Sequence, residues 1–260
     1  MGVLNCTPDS FYDGENLNSE VRVKKALQMI EKGAKIIDVG GESTRPGSDP
    51  VSEKEEIKRV IPVIEQLRDQ SDITISIDTK KAVVAKEAIR AGAVIINDVS
   101  AGSDPKMLEV ALAHPVKVIH MHMQGQPKSM QNKPHYNNVV TDIVGELSEK
   151  RKTWLESGFE STNLWWDPGI GFGKTLEHNL QLMRHLDAFC SETEVVLGVS
   201  RKSFISKIDP SSKGPQDRLA GSLAPLSYAW DAGIRIFRVH DVLETRQFLL
   251  VHQQLAKAKL

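Results

Sequence analysis

Ile73-Thr74-Ile75-Ser76-Ile77-Asp78 alternates isoleucine with a small polar or acidic residue. That alternation has the period of a β-strand, whose successive side chains point to opposite faces. One face is wholly aliphatic and calls for helices packed against it. The other carries Thr74, Ser76 and Asp78. In a closed barrel the isoleucines face the outer helices and Asp78 turns inward at the C-terminal end of its strand, where barrels of parallel strands assemble their chemistry.

Runs of the same kind lie on either side, at 2–5, 36–40, 94–98, 116–121, 164–167, 195–199 and 234–239. Between them are amphipathic stretches such as 20–32, 53–68, 80–91, 139–157, 176–186 and 216–230. Eight strand–helix alternations argue for parallel βα units. A chain of 260 residues matches a single (β/α)8 TIM barrel over 1–260 with its active site at the C-terminal face of the strands. A doubly wound open sheet is the alternative. No Pro/Gly/Ser-rich linker, charge run or low-complexity segment divides the chain.

Composition narrows the function. The chain is 40% hydrophobic and 26% charged with a formal net charge of −1, and it has no Lys/Arg-rich block. This speaks against an electrostatic nucleic-acid partner. No apolar run approaches the roughly 18 residues of a membrane span, and the first residues lack the regions of a signal peptide. Met1-Gly2 hints at myristoylation, but Cys6 stands where that motif wants Ser or Thr. Cys6 and Cys190 are far apart and in no metal-binding spacing, so free thiols in a reducing cytoplasm are expected.

The remaining strand ends repeat the polar ending of the first: Asn97, Asp167, Lys202 and the pair Arg238/His240. One such residue is a plausible helix cap, but five converging on one rim define a site. Two loops join them. Asn5-Cys6-Thr7-Pro8-Asp9-Ser10-Phe11-Tyr12-Asp13-Gly14 is long for a βα connection. In it Asn5 can bind a phosphate or a hydrated Mg2+, and Asp13 can orient a water on that metal. Gly40-Gly41-Glu42-Ser43-Thr44-Arg45-Pro46-Gly47 pairs close backbone approach with a hydroxyl and a guanidinium for an anion.

Asp167-Pro168-Gly169-Ile170-Gly171-Phe172-Gly173-Lys174-Thr175 imitates a phosphate-binding loop, but Pro168 stands where a Walker A needs Gly and Lys174 where the dinucleotide fingerprint does. What remains is a strand-end carboxylate and a flexible loop exposing Phe172. Period two along Gly198, Ser200 and Lys202 turns Lys202 into the barrel mouth, where it either forms a Schiff base or hydrogen-bonds a carbonyl and a ring nitrogen. Arg238 and His240 point inward beside Asn5, in the corner where such barrels often hold phosphate. They form a diphosphate clamp, and the guanidinium can also stack on a flat ring. His120 and His122 lack neighbouring ligands for zinc, and Trp165 and Trp166 belong to the core.

Asn5-Cys6-Thr7-Pro8-Asp9-Ser10-Phe11, Gly41-Glu42-Ser43-Thr44-Arg45-Pro46-Gly47, Ile77-Asp78-Thr79, Ile96-Asn97-Asp98, Asp167-Pro168-Gly169, Ser200-Arg201-Lys202-Ser203 and Arg238-Val239-His240 occur in this order along the chain. Together they resemble the signature segments of the dihydropteroate synthase family. The resemblance implies condensation of 6-hydroxymethyl-7,8-dihydropterin diphosphate with p-aminobenzoate, by a dissociative, Mg2+-assisted substitution, in folate biosynthesis. It implies that Asp78, Asn97, Asp167 and Lys202 hold the pterin, with Met121, Phe172 and Gly198 lining the pocket. Asn5, Arg238 and His240, with Thr44 beside them, resemble the diphosphate and Mg2+ site, Asn5 being the metal ligand. Asp13, Arg45, Pro46 and Ser203 resemble the builders of the p-aminobenzoate site, and Asp13, Lys202 and Arg238 are the residues expected to act in catalysis. A homodimer through the last helices and the standing of a sulfonamide target follow from the same resemblance, while a cytoplasmic location is expected from the free thiols and the absence of a signal segment.

Two departures stand out. The chain starts at its first strand, which is therefore expected to be cut short, and Cys6 replaces an aliphatic residue. Competing readings are a methyltetrahydrofolate-dependent methyltransferase barrel, which leaves the diphosphate clamp unexplained, an aldolase acting through Lys202, and a pterin-binding relative without catalysis.

Overall fold

The computed structural model describes residues 1–7, 15–43 and 47–258. Eight parallel strands line up in chain order: β1 (Gly2–Asn5), β2 (Ile36–Gly40), β3 (Thr74–Asp78), β4 (Ile95–Asp98), β5 (Lys117–Met121), β6 (Leu164–Asp167), β7 (Val196–Leu197) and β8 (Ile236–Phe237). The first six form one sheet and the last two pair with each other. The two pieces join at both edges. A bridge from Trp166 to Val195 links β6 to β7, and one from Gly2 to Val239 links β8 to β1. The Val239 N–H donates to the Met1 carbonyl and the Val3 N–H to the Val239 carbonyl, both at 2.9 Å. The ring is closed, so a barrel and not an open sheet leaves no free edge to protect.

β7 and β8 are shorter than the alternation predicts. In a staggered barrel a strand meets its two neighbours at different heights. Val195 and Val239 therefore pair on one side only and count as single bridges, while the chain beyond Leu197 bends away into the active-site rim.

The interior is layered. Ile95, Ile119, Trp165 and Val196, with Met1, Ile36 and Ile236 against them, plug the barrel below the mouth. Ile75 and Ile77 instead belong to the much larger shell of buried residues between strands and helices, as the alternation in β3 predicts. Trp166 joins that shell as well.

Among the described residues the helices are α1 (Glu15–Glu31), α2 (Glu53–Gln70), α3 (Ala82–Arg90), α4 (Lys106–Leu112), α5 (Val139–Glu156), α6 (Leu176–Arg184), α7 (Asp187–Cys190), α8 (Phe204–Ile208), α9 (Leu219–Asp231) and α10 (Val242–Lys257). Starts are set by local chemistry. The Ser52 hydroxyl accepts from Glu55 N–H at the head of α2, and Asn138 accepts from Val140 and Thr141 at the head of α5. Thr175 and His178 form a reciprocal capping pair on α6. None of the described helices is long and apolar enough to cross a membrane.

Candidate active site

Parallel register puts the polar strand ends at one height: Asn5 lies opposite Gly40, Gly40 opposite Asp78, and Asp78 opposite Asn97. Met121 lies opposite Asp167 further round the ring. Asp78, Asn97, Val99, Met121, Asp167, Phe172, Gly198, Lys202 and Arg238 line one narrow cleft in the barrel mouth. Every sequence-predicted residue of the strand-end group except His240 is on this wall. A broader, shallower cleft outside the barrel, bounded by Tyr136, Asn138, His178 and His185, gathers no comparable set of opposed charges, so the chemistry belongs to the mouth.

The centre of the site is a buried charge cluster. Arg238 donates from Nε to Asp38 Oδ2 and from NH2 to Asp78 Oδ2, both at 2.6 Å. Asn97 Nδ2 donates to the same Asp38 oxygen at 3.1 Å. The other oxygen, Asp38 Oδ1, is buried and has no hydrogen-bond partner among the described residues. Burial raises the Asp78 carboxyl to about 7, against the pull of Arg238 and with the Asp38 charge adding to the rise. The same two carboxylates and Asp167 hold Arg238 firmly protonated in spite of its burial.

Asp38 is the site residue that strand-end reading misses. It sits in mid-strand, in Ile36-Ile37-Asp38-Val39-Gly40. The signal was present: an acid inside an apolar run, on the face it shares with Gly40 at period two. Only the position of Arg238 across the ring shows what it does.

Asp167 anchors the opposite side. Its Oδ1 accepts from the Gly169 N–H at 2.7 Å. Burial raises its carboxyl above the usual range, opposed by Gly169, Lys202, Arg238 and Lys174. Lys202, lowered to about 8 by burial and by Arg238, is held up by Asp167 and Asp78. Its ammonium lies 4.0 Å from the centre of the Phe172 ring, the geometry of a cation–π contact. A side chain at Gly198 would lie 3.7 Å from Asp167 Oδ2 and 3.9 Å from Arg238 Cβ, so glycine there keeps the cleft floor open.

Phe172 corrects an expectation. Its side chain is 8% exposed, not projecting into solvent, because Val99, Met121 and Met130 pack against it. The loop that carries it is pinned as well. Gln131 donates to the Gly171 carbonyl, Tyr136 to the Gly173 carbonyl, and the Gly171 N–H donates to Asn179. Three glycines at positive φ, Gly169, Gly171 and Gly173, let the chain follow that path.

At the rim, His240 uses its N–H and Nδ1 on the Ser200 hydroxyl at 3.2 and 3.1 Å. Burial, Arg238 and Arg201 lower it to about 4, so at neutral pH it is a hydrogen-bonding group and not the cation its inward position suggests. Ser203 is exposed at the start of α8 and makes no side-chain cap. Asn5 is exposed at the end of β1, and Arg22 holds the chain there by donating to the Asn5 and Thr7 carbonyls. Asp13, Thr44, Arg45 and Pro46 lie outside the described residues. The base of the second loop is tied down: Glu42 pairs with Lys80 at 3.1 Å and with Lys81, and Lys81 also pairs with Glu56 at 2.5 Å.

His120 and His122 leave the mouth for the opposite face of β5. His120 packs edge-on against Trp154 with ring centres 4.5 Å apart. His122 meets Lys174 and Glu146. Among the described residues no three His, Cys, Asp or Glu side chains gather to hold a metal. The residues present do fit an Mg2+ that arrives with a phosphate ligand: Asn5 offers a neutral oxygen at the exposed rim, and Mg2+ characteristically takes most of its other ligands from phosphates and water.

A parallel barrel with a carboxylate, an amide and a lysine facing an apolar wall in its mouth is the framework of an enzyme that grips a flat, hydrogen-bonding heterocycle. Sequence comparison agrees. The family model described as pterin binding enzyme matches residues 1–240. The dihydropteroate synthase of Haemophilus influenzae is 45% identical, covering 99% of this chain and 94% of its own. Among solved structures, Yersinia pestis dihydropteroate synthase in complex with a sulfonamide drug superposes with a TM-score of 0.92 at 42% identity, covering 99% of this chain and 94% of its own. Xanthomonas albilineans dihydropteroate synthase with 4-aminobenzoic acid also superposes at 0.92, with 40% identity and coverage of 99% and 93%. The chain belongs to the dihydropteroate synthase family of pterin-binding enzymes, which are transferases.

Proposed function

We propose that this chain joins 6-hydroxymethyl-7,8-dihydropterin diphosphate to p-aminobenzoate, releasing pyrophosphate and forming 7,8-dihydropteroate for folate biosynthesis. The observation that carries this is the pairing of a buried acceptor, Asp167, with a half-buried donor, Lys202, across one cleft walled by Met121 and Phe172. A pterin presents an adjacent N–H and NH2, which one carboxylate accepts together, and a carbonyl and ring nitrogen, which a lysine reaches. Asn97 and Asp78 complete the edge. Because Arg238 is already engaged by Asp38 and Asp78, we assign its guanidinium face to the ring and its edge to the leaving diphosphate. His240 and Asn5 lie on the rim beyond it, where a diphosphate leaves the cleft.

The reaction is a dissociative substitution. The C–O bond between the pterin methylene and the diphosphate breaks, and its electron pair leaves with pyrophosphate. The positive charge spreads into the pterin ring, and the amine nitrogen of p-aminobenzoate then attacks the methylene carbon and gives up a proton. Mg2+ bound with the diphosphate supplies charge neutralisation to the leaving group. Asp167 and Lys202 fix the ring while bonding changes, and the apolar wall keeps water from competing with the amine. Asp13, Thr44, Arg45, Pro46 and Ser203 form the aryl site in this reading. A cytoplasmic location accords with the free thiols Cys6 and Cys190, and a homodimer accords with Tyr228, Leu250, Val251 and Leu255 exposed on α9 and α10.

Pyrophosphate release from the pterin diphosphate, assayed with and without p-aminobenzoate and Mg2+, tests this. Release that requires all three is expected. Pterin binding without turnover points to the non-catalytic relative, and methyl transfer from methyltetrahydrofolate to the methyltransferase. Asp167→Asn turns an acceptor into a donor facing a ring donor, and its affinity for a non-reactive pterin analogue is expected to fall on the order of tenfold or more. Affinity within about threefold of the parent would place the pocket elsewhere.

A further inference from the structure

Behind the wall of the cleft lies a line of charged groups that the reaction as proposed leaves unused. Lys174 is 1% exposed. Its Nζ donates to the Phe172 carbonyl at 2.9 Å and to His122 Nδ1 at 2.9 Å. His122 is 2% exposed, and its Nε2 stands 3.2 Å from Glu146 Oε2 on α5. With Nδ1 accepting from an ammonium, the ring proton sits on Nε2 and is donated to Glu146. Glu146 also pairs with Lys150 at 3.4 Å, near solvent. Glu146, His122 and Lys174 thus form a chain from the surface to the back of the site.

Its inner end lies against the turn that follows Asp167. The Gly169 N–H donates to Asp167 Oδ1, and a Cβ placed on Gly169 would lie 3.4 Å from Lys174 Nζ and 1.9 Å from the His122 carbonyl oxygen. The turn that feeds Asp167 therefore lies against Lys174 and the end of β5. We propose that Lys174, backed by His122 and Glu146, is the positioning residue of pterin recognition: it holds the Phe172 loop through a main-chain carbonyl and places a positive charge behind the Asp167 carboxylate. The inference rests on the pterin reading of the cleft given above.

The charges explain why a lysine belongs there. Asp167 has to be ionised to accept two ring donors, and burial works against that, with Lys174 among the groups that oppose it. Burial lowers Lys174 itself to about 7, with Lys202 adding to the fall, while Asp167 and Glu146 hold its proton. The groups around it are Asp167 on β6, His122 just after β5, Glu146 on α5 with Lys150 beside it, His178 on α6, and Lys202 beyond β7. Near neutral pH the charge behind Asp167 is held first by Asp167 itself and then by Glu146, which is about half exposed.

Calorimetry of a non-reactive pterin analogue from about pH 5 to about pH 9, in the parent chain, Lys174→Met and Glu146→Gln, tests this. Lys174→Met is expected to bind about tenfold more weakly at neutral pH, with the acid limb of its binding profile moved to higher pH because Asp167 is protonated more easily. Glu146→Gln is expected to keep the acid limb, where Lys174 is charged in either case, and to lose affinity at lower pH on the alkaline side. A purely structural role would weaken binding equally at every pH. A Lys174→Met profile parallel to that of the parent, or a Glu146→Gln profile identical to it, overturns the proposal. Should Lys174→Met fail to fold, the exposed Glu146→Gln decides alone. A parent chain that binds no pterin overturns the reading of the cleft, whereas a parent that binds alongside an unchanged Glu146→Gln overturns only this inference.

Discussion

Asp38 and Lys202 show how much a single side chain depends on its neighbours. Asp38 shares one guanidinium with Asp78, so the cluster holds two carboxylates and one cation. Asp38→Asn removes an anion whose repulsion raises Asp78, and the midpoint of Asp78 in a carboxyl 13C titration is expected to move below about 7. An unchanged midpoint would mean the two carboxylates do not interact. The parent should also lose stability as pH rises through about 7. The folded carboxyl of Asp78 holds its proton there while the unfolded one has released it, so its contribution is full only below the unfolded value. The Asn variant should show a weaker loss in urea unfolding. Lys202 yields a different test. Its ammonium faces a ring and two acids, a donor's surroundings. Borohydride with either substrate is therefore expected to leave no adduct in intact-mass spectrometry, and a stoichiometric adduct on Lys202 would restore the aldolase reading.

The connection from β6 to α6 is the element on which the site turns. It joins a strand-end acid to a capped helix through three left-handed glycines and is bonded to His122 just after β5, the 124–136 segment and α6. A Cβ at Gly169 would approach the His122 carbonyl to 1.9 Å and occupy an unfavourable φ of 67°. Gly169→Ala is expected to cost more than the roughly 1 kcal/mol of an ordinary glycine replacement at positive φ and to weaken pterin binding, because the turn must shift off the His122 carbonyl and no longer aims its N–H at Asp167. Wild-type melting and affinity together would show that the loop has another path. The Ser52 hydroxyl does a simpler job at the head of α2. Ser52→Ala is expected to lower stability by about 1 kcal/mol and to leave pterin affinity unchanged.

For the molecule as a whole, the proposed reaction places the pterin in the mouth of the closed barrel and assigns the aryl site to Asp13, Arg45, Pro46 and Ser203. Tying points exist on the first two loops: Arg22 at the end of β1, and Glu42 with Lys81 at the base of the second loop. Diphosphate and Mg2+ would give Asp13 and Arg45 charged partners in that reading. Binding is therefore expected to be ordered. p-Aminobenzoate alone should give little heat in calorimetry, and pyrophosphate, Mg2+ and a pterin together should reveal its site. Arg45→Ala should weaken that second event far more than pterin binding. Equal affinity for the empty and the loaded protein would mean that the aryl site is preformed.

Strand positions, barrel closure by count and the polar strand ends could all be read from the sequence, because alternation at period two is a local property that each segment carries by itself. The seven family segments added the roles of Asp78, Asn97, Asp167, Lys202 and Arg238 as expectations. What lay outside local reach was how these groups pair. Arg238 and Asp38 are 200 residues apart, Lys174 and His122 are 52 apart, and no pattern along the chain says which charge a closing ring will set beside which. The tertiary structure therefore decided that Asp38 belongs to the site, that Phe172 is buried, that burial pushes the His240 pKa down and that Lys174 lies buried under the Phe172 loop. Each of these depends on how much water the finished barrel removes and which charges it leaves in contact, and both are fixed only when the last strand meets the first.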